Sequence, residues 1–520
     1  MNLLDYIIIA IYVLGFLFLG KLFKPSKSGK DYFLGGNSFN WFPLSISTAA
    51  TQLSAISFIS APAFVGLKQG GGMMWLTYEF AVPLAMIFLM VFLIPPMFKM
   101  GIVSVYEYLE NRYSSSTRIL LSIVFQISRA FATSVMIYAI SLILTSVMNI
   151  PMWLTIILIG FVTLIYSYQG GMKAVVYGDM IQMGILFLGI IICFIYGLHH
   201  LGGWDTFINN VDQDRLNVIN FHATGFEGGD EFGFWPMLIG GFFLYASYYG
   251  TDQSQVQRLF SAKDLGTVRK ALLCNGLMRF PITLTYCIMG LIIGTLVFQN
   301  QEFRDLIPLD KPDLMIPIFI KEYLPHGVIG ILLVAIFSAA MSSLSSTINS
   351  LSAASMEDIF NRSKKMDDDQ YIKYSKWLAL FWGIVCIVLA YFTGDIAKTV
   401  IEAINKVGSV FYGPIFATFI AAIGLKRTNF IGANAGLLMG VLVNVYLWLF
   451  CPEVFWFWWN AIGAIVTIVV SLLVSSLIKR QGQQEIKIDK IEIDYQKVGI
   501  LSVFTIVIIV FSYIFPSLFN

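Results

Sequence analysis

The chain has 520 residues, of which 57% are hydrophobic and only 12% are charged, and its formal net charge is +2. A soluble domain carries about 25% charged residues, so this composition excludes a water-soluble globular protein. The net charge says nothing about nucleic acid, but no stretch has the basic character of a nucleic-acid-binding face, so a nucleic-acid partner is not expected.

The apolar residues form repeated stretches of about 17 to 25 residues, the length of an α-helix that crosses a membrane. The sequence therefore predicts an all-α polytopic membrane protein surrounded by membrane lipid. It is predicted to be a single membrane domain over residues 1–520, with about 14 transmembrane helices. The predicted spans are 3–20, 41–66, 73–97, 119–148, 152–172, 174–198, 236–257, 274–298, 326–354, 377–394, 399–423, 429–450, 455–478 and 498–516.

The first span, residues 3–20, is predicted to be an extra N-terminal helix. No basic region precedes it, no small-residue cleavage site follows it, and lysines come after it instead. These features favour a retained membrane helix over a signal peptide.

Two spans contain small and polar residues at mid-membrane positions where Leu and Ile would be expected, at 45–57 and at 245–253. Irregular backbone at membrane depth is tolerated beside a cavity, and interrupted helices mark binding sites. The matching positions of these two spans predict inverted five-helix repeats over 41–198 and 236–423, followed by C-terminal helices over 429–516. The alternative is ordinary packing of small residues between helices.

The ninth span contains a serine-rich face. Ala339, Ser342 and Ser343 have the spacing i, i+3, i+4 and therefore share one side of a helix. Ser342, Ser345 and Ser346 have the same spacing and share the adjoining side. Sodium is a hard cation that prefers oxygen ligands, and neutral hydroxyl and carbonyl oxygens bind it weakly enough for release. The alternative is a packing face whose hydroxyls bond back to the preceding turn.

Ionisable residues inside the spans are functional candidates because burying them in a membrane is costly. Asp179 is one such candidate, as an acid that could carry a proton, although an acid at a helix start is also favoured by the helix dipole. Arg129 and Arg279 suit the carboxylate of an acidic solute. The alternative for the arginines is an internal ion pair with one of the buried acids Glu79, Asp252 and Glu402. Lys406 follows Glu402 by one helical turn, and these two are predicted to pair.

The loops give a prediction of orientation. If the N-terminus faces outward, most of the 33 lysine and arginine residues fall in cytoplasmic segments, as the positive-inside rule requires. The sequence therefore predicts a multi-pass protein of the cell (inner) membrane with both termini outside.

Three stretches resemble one family of carriers. They are Asp31–Ser38, Tyr166–Val175, and Gln257–Arg258 followed by Ser261–Lys263. Each is similar to a motif of the sodium/solute symporter family, which includes sodium/galactose, sialic acid and monocarboxylate symporters. The resemblance implies a leucine-transporter-like 5+5 inverted repeat, alternating access and symport by a monomer. It also implies Na+ as the coupling ion, with no other metal and no organic cofactor.

The resemblance also implies two sodium sites and hence two sodium ions per solute. The first predicted sodium site would use backbone oxygens of Ala50, Leu53 and Ala339 with the hydroxyls of Ser342 and Ser343. The second predicted sodium site, as in sialic acid carriers, would use Asp179, Ser342, Ser345 and Ser346.

The solute is expected near the membrane midplane, between the two broken helices. The candidate contacts are Gln52, Ser54, Ser57, Trp75, Glu79, Arg129, Tyr245, Tyr248, Tyr249 and Arg279. Sialic acid carriers hold the solute carboxylate with an arginine on the helix that corresponds to Arg129, which favours a carboxylated solute of the sialic acid or monocarboxylate type. A neutral sugar or polyol is the alternative, although Tyr245 stands where the galactose carrier has an asparagine.

Other function classes are less favoured. The five cysteines have no metal-ligand spacing, and no nucleophile or nucleotide motif is present, so an enzyme is not expected. A passive channel is less favoured because broken helices beside an ion site suit alternating access. A sensor of the same fold is not expected, since no cytoplasmic signalling domain follows residue 516 in the sequence.

Overall fold

The computed structural model describes residues 1–22, 28–53, 55–229, 231–308, 310–363, 366–392, 399–478 and 492–519. Ser54, one of the predicted solute contacts, lies outside these residues. The described residues form helices and no named strand, with an isolated β-bridge between Phe39 and Ala262. The expected all-α class is therefore confirmed.

The α-helices follow one another as α1 (Leu3–Leu22), α2 (Gly29–Leu34), α3 (Trp41–Gln52), α4 (Ala55–Gly66), α5 (Ala81–Phe88), α6 (Ile94–Lys99), α7 (Glu107–Arg112), α8 (Ser115–Met148), α9 (Met152–Leu201), α10 (Trp204–Asn210), α11 (Phe234–Thr251), α12 (Gln253–Phe260), α13 (Leu265–Gln299), α14 (Gln301–Asp305), α15 (Met315–Tyr323), α16 (Val328–Ser355), α17 (Asp368–Phe392), α18 (Val400–Gly424), α19 (Phe430–Phe450), α20 (Trp456–Leu477) and α21 (Tyr495–Ile514). A 3₁₀ turn, Met73–Phe80, leads into α5, and a π-helical turn, Leu89–Leu93, joins α5 to α6.

Ten helices of the described part of the chain are long and apolar enough to cross a membrane, or eleven if α3 and α4 form one bent span. Helices also occupy the other predicted positions, but the described apolar parts Leu3–Phe16 and Met152–Ile165 are shorter. The multi-pass membrane architecture is thus confirmed, while the count of about 14 stays a prediction.

Both predicted breaks are present. Helices α3 and α4 differ in direction by 55°, and Leu53, at the end of α3, has non-helical angles of φ −81° and ψ 80°. Helix α11 stops at Asp252, whose extended backbone (φ −82°, ψ 119°) separates it from α12. The Asp252 carboxylate accepts the Ser254 backbone N–H at 2.9 Å, so Asp252 also caps α12. The regular helical hydrogen bonding is therefore interrupted at both breaks, which makes backbone carbonyl oxygens there available to other partners.

The fifth and sixth predicted spans are the two halves of α9, which are separated by a non-helical kink at Gly171. Gly171 has φ +54° and ψ −158°, and a Cβ there would lie 2.8 Å from the Tyr32 carbonyl oxygen. Only glycine combines this backbone conformation with such a close approach. The turn orients the second half of α9, which carries Asp179, towards α16.

Close glycine contacts hold α4 against α13. A Cβ at Gly66 would lie 2.1 Å from the Gly290 carbonyl oxygen, and one at Gly290 would lie 2.6 Å from the Cα atom of Pro62. Small residues of this kind let membrane helices approach backbone to backbone. The contact keeps the broken-helix segment α4 beside α13, the helix that carries Arg279.

The predicted pair of Glu402 and Lys406 is wrong. Glu402 accepts from Lys68 Nζ at 2.8 Å and from the Thr399 hydroxyl. The ammonium group of Lys406 instead lies 5.6 Å from the ring centre of Trp448. The structure favours Lys68 because its ion pair is buried, with side-chain exposures of 7% and 9%, where an unpaired charge would be costly.

Candidate functional site

A cavity of about 610 Å³, part of it open to solvent, lies beside the two broken helices. Most of the lining is aromatic or aliphatic, with a few amide, hydroxyl and guanidinium groups. The lining residues are Gln52, Ile56, Ser57, Trp75, Tyr78, Arg129, Leu244, Tyr248, Arg279, Ile401, Ile404, Asn405 and Tyr412.

The structure brings most of the predicted solute contacts together. Six of them line the cavity, namely Gln52, Ser57, Trp75, Arg129, Tyr248 and Arg279. The other three described candidates lie behind that wall. Tyr249 donates to the Gln52 side-chain oxygen, Tyr245 stacks on Tyr78 with ring centres 4.6 Å apart, and Glu79 is fully buried.

Glu79 is the acceptor at the centre of a buried polar cluster. Its carboxylate accepts from Arg279 Nε at 3.2 and 3.1 Å, from the Tyr245 hydroxyl at 2.9 Å and from Thr283 at 3.0 Å. Hydrogen bonds to an ionised group are the stronger kind, and this set saturates the carboxylate. Glu79 therefore holds Arg279 in place from behind the cavity.

Arg129 forms the second buried ion pair. Its Nη2 donates to Asp252 at the break between α11 and α12, and its guanidinium lies 5.0 Å from the ring centre of Tyr248. Two of the internal pairs considered from the sequence, Arg129 with Asp252 and Arg279 with Glu79, are therefore present in the fold.

Two buried N–H groups of the cavity lining lack an acceptor. Arg279 Nη1 and Trp75 Nε1 have no hydrogen-bond partner among the described residues. A buried donor without an acceptor costs about 1–3 kcal/mol. Both donors therefore belong to residues that line the cavity, and the described fold gives neither of them an acceptor.

The residues of the first predicted sodium site converge where α3 ends against α16. The Ser342 hydroxyl lies 3.3 Å from the Ala50 carbonyl oxygen and 3.1 Å from that of Ala339. The Ser343 hydroxyl lies 3.1 Å from the Thr51 carbonyl oxygen. Leu53 stands at the non-helical end of α3. Hydroxyl and carbonyl oxygens therefore cluster at the helix break, which is the chemistry that a sodium ion needs.

The second predicted sodium site has a different arrangement. Asp179 accepts from Ser47 at 2.5 Å and from Arg258 Nη2 at 3.0 Å. Arg258 also donates to Ser346. Ser345 takes no part in this cluster, because its hydroxyl donates to the Ser342 carbonyl oxygen at 3.1 Å. Asp179 and Ser346 are thus brought together, with a guanidinium between them.

Comparison with known proteins assigns the chain to a class. A family model described as "Sodium:solute symporter family" matches residues 32–440. The chain belongs to the sodium:solute symporter family. It is therefore a sodium-coupled membrane carrier and not an enzyme, with Na+ as its coupling ion.

Several relatives carry informative names. This symporter is 29% identical over 438 residues to the human sodium-coupled monocarboxylate transporter 1, which covers 81% of the chain and 68% of the relative. It is 27% identical over 439 residues to the human sodium/iodide cotransporter, which covers 83% of the chain and 67% of the relative. These names describe the relatives and give the general class of this symporter.

Solved structures share the fold of this symporter. A substrate-bound, outward-open Na+-coupled sialic acid symporter superimposes with a TM-score of 0.82 at 24% identity, covering 93% of this chain and all of that one. A nucleobase-cation-symport-1 family transporter superimposes with a TM-score of 0.53 at 13% identity, covering 88% and 96% of the two chains. At these identities the likeness concerns the fold alone.

In this symporter the cavity adjoins residues of the first predicted sodium site. A second cavity of about 380 Å³ is lined by Ser343 and Thr51 as well as by Gln52, Arg129 and Tyr248 of the solute cavity. The side chains of Gln52, Arg129 and Tyr248 therefore line both cavities. Thr51, whose carbonyl oxygen accepts from Ser343, is followed directly in the chain by Gln52 of the cavity lining.

The sequence reasoning missed several residues of the symporter's site. Tyr78, Asn405 and Tyr412 line the cavity, and Arg258 reaches Asp179. Tyr412 lies in a part of α18 that contains the small residues Gly408, Ser409 and Gly413. This local composition could have marked Tyr412 as a candidate for the site. Arg258 lies within a recognised motif, but its distance from Asp179 in the chain gave no sign of their contact.

Proposed function

We propose that this symporter imports a small carboxylated solute together with sodium by alternating access. The observation that carries the proposal is the pair of unpartnered N–H groups, Arg279 Nη1 and Trp75 Nε1, in residues that line the cavity. A carboxylate offers two acceptor oxygens with about four lone-pair sites. An arginine also provides the planar fork that favours this group over a single hydroxyl.

The cavity lining supports a solute with one charged end. The lining also includes the aliphatic side chains of Ile56, Leu244, Ile401 and Ile404. These side chains suit an apolar body, as in a short monocarboxylate, and the aromatic rings suit the ring of a sialic acid. The name of the human monocarboxylate relative is consistent with this proposal.

The proposed transport cycle uses the two broken helices as moving parts. The breaks at Leu53 and Asp252 lie in the spans predicted to be equivalent in two inverted repeats, 41–198 and 236–423. Rocking of such repeats about a central site exposes it to each side in turn. We place about 14 transmembrane helices in one monomer of the cell (inner) membrane, with both termini outside.

Sodium is proposed to bind first where α3 ends. The Ala50, Leu53 and Ala339 carbonyls with Ser342 and Ser343 would order the break and so shape the neighbouring wall of the cavity at Gln52. We also propose that two sodium ions are carried with each solute. The ligands of the second ion would be Asp179, Ser342, Ser345 and Ser346.

A neutral sugar or polyol is the second candidate solute. The observation that favours it is the charge balance, because each arginine of the cavity lining is paired with a carboxylate, Arg129 with Asp252 and Arg279 with Glu79. The side chains of Gln52, Ser57 and Asn405 could then bind hydroxyl groups.

A thermal-shift panel distinguishes the two solute classes. Purified protein is heated with NaCl or choline chloride against sialic acids, short monocarboxylates, neutral sugars and polyols. We expect stabilisation by carboxylated solutes only, larger in sodium, and its loss in Arg129→Ala and Arg279→Lys. Stabilisation by neutral sugars that survives both substitutions would assign the site to the second candidate.

Uptake into proteoliposomes then tests the transport mode. We expect the stabilising solute to accumulate above its outside concentration when a sodium gradient is imposed, and to equilibrate without one. Equilibration alone under both conditions would show a passive pathway and contradict symport.

A further inference from the structure

Arg258 is a buried cation that bonds to two residues of the second predicted sodium site. It is 1% exposed. Nε donates to Ser47 at 2.8 Å and Nη2 donates to Asp179 at 3.0 Å. Nη2 also donates to Ser346, and Nη1 to the Ser254 carbonyl oxygen. One side chain on α12 thereby ties together α3, α9 and α16.

Two of these partners, Asp179 and Ser346, belong to the second predicted sodium site. The guanidinium supplies the single positive charge that a sodium ion would supply there. We propose that Arg258 is a tethered cation that competes with sodium for Asp179, an inference that rests on the proposed sodium-coupled function.

The carboxylate of Asp179 has one oxygen that no described residue occupies. Oδ2 accepts from Ser47 and Arg258, whereas Oδ1 is buried without a hydrogen-bond partner among the described residues. An incoming sodium ion can begin its contact at Oδ1. Two unit charges a few ångströms apart in a poorly screened interior repel strongly, so sodium binding favours withdrawal of the guanidinium.

The competition links ion binding to movement of a broken helix. Arg258 is carried by α12, the segment that follows the break at Asp252. When sodium takes Asp179, α12 loses its charged attachment to α9, together with the guanidinium bonds to Ser47 on α3 and Ser346 on α16. When sodium leaves, Arg258 returns and neutralises Asp179, so the empty carrier does not have to bury an unpaired carboxylate during its return step.

The competition is tested by a sodium titration of thermal stability without solute, with ionic strength held constant by choline chloride. All variants carry Ser343→Ala, so that the remaining response reports the Asp179 site. Removal of a competitor that occupies most of the site raises the apparent affinity by the inverse of the free fraction, here about tenfold. We therefore expect Arg258→Gln to lower the half-stabilising sodium concentration about tenfold, and Arg258→Lys, which keeps the charge, to stay near the parent value.

Ser47→Ala is a milder second variant, since it removes one acceptor of Arg258 and one donor to Asp179 and leaves every predicted sodium ligand in place. It should also lower the half-stabilising sodium concentration, and adding Asp179→Asn should abolish the gain. If Arg258→Gln does not fold, Ser47→Ala decides alone.

An unchanged or raised half-stabilising sodium concentration in Arg258→Gln or Ser47→Ala would overturn the proposed competition. That result beside sodium-driven uptake by the unmodified protein would leave the proposed function standing. Absence of sodium-driven uptake by the unmodified protein would overturn the proposed function itself.

Discussion

The Nε atom of Arg279 lies 3.2 and 3.1 Å from the two carboxylate oxygens of Glu79, and both side chains are buried. Removing one member of such a pair leaves an unpaired buried charge, which costs about 3–5 kcal/mol. We therefore expect Glu79→Gln to lower the free energy of unfolding by about 3–5 kcal/mol, measured by thermal unfolding of purified protein.

The same pair can be examined by a double-mutant cycle. Glu79→Gln with Arg279→Gln should cost less than the two single changes added together, because neither charge is then left alone. Glu453→Gln, at an exposed position, serves as the control and should change stability little. Additive losses would show that the two residues do not act as a pair.

Arg279→Lys tests recognition of the solute. Lysine keeps the charge beside Glu79 but lacks the planar fork and Nη1 donor. The apparent affinity for a carboxylated solute should fall about 10- to 100-fold, with a smaller change in the maximal uptake rate. Arg304→Lys, at an exposed arginine, is the matched control. An equal loss of affinity for neutral sugars would point to a general distortion of the cavity.

Ser343→Ala tests the first predicted sodium site. The Ser343 hydroxyl lies beside the Thr51 carbonyl at 3.1 Å, and its loss should raise the sodium concentration for half-maximal uptake by about tenfold. Ser350→Ala is the control on the same helix, since its buried hydroxyl bonds only to Thr347 in the preceding turn. Equal effects of the two substitutions would identify general packing as the cause.

Asp313 predicts a pH dependence of stability. It lies in the 3₁₀ turn Pro312–Leu314, outside the membrane-spanning helices, and accepts from Ser60 at 2.6 Å and from the Val400 N–H at 2.9 Å. Burial, with a smaller contribution from Glu402, raises the pKa of Asp313 from 3.8 to about 6 against the lowering effect of these hydrogen bonds. The folded protein therefore binds this proton more tightly than the unfolded chain does.

Stability from Asp313 is consequently fully present below about pH 4 and is lost as the pH rises through 6. The loss is at most about 3 kcal/mol. Thermal unfolding between these pH values should show a steeper decline in the unmodified protein than in Asp313→Asn, with Asp310→Asn as the exposed control. Parallel pH profiles for the unmodified protein and Asp313→Asn would contradict the assignment.

Gly294→Ala tests the close approach of α4 and α13. A Cβ at Gly294 would lie 2.4 Å from the Gly66 carbonyl oxygen, so the helices must separate at a cost of about 1–3 kcal/mol. Gly184→Ala, where a Cβ meets nothing within 4 Å, is the control. A smaller loss for Gly294→Ala than for Gly184→Ala would contradict the close packing.

Local sequence features predicted the helices and their breaks. The hydropathy pattern gives the spans because unsatisfied backbone groups are not tolerated in lipid. The small polar residues around Leu53 and the Gly-Thr-Asp sequence at Asp252 mark the breaks, since neither segment supplies the apolar surface of an unbroken span. The serine spacing in α16 likewise placed Ser342 and Ser343 on one face.

Contacts between distant residues could not be predicted in the same way. The sequence allowed Arg129 and Arg279 to bind either a solute or an internal acid, and it paired Glu402 with the wrong lysine. An arginine or lysine side chain is long enough to reach partners on several helices, and its choice depends on which acid is buried nearby.

The sequence by itself therefore determined the membrane class, the positions of the helices and breaks, and the polar face of α16, because these depend on the local balance between apolar burial and backbone hydrogen bonding. Only the tertiary structure decided that Glu79 holds Arg279, that Asp252 holds Arg129 and that Arg258 reaches Asp179. Each of these pairs joins different helices, and burial makes a partner for every charge necessary without specifying which partner it is.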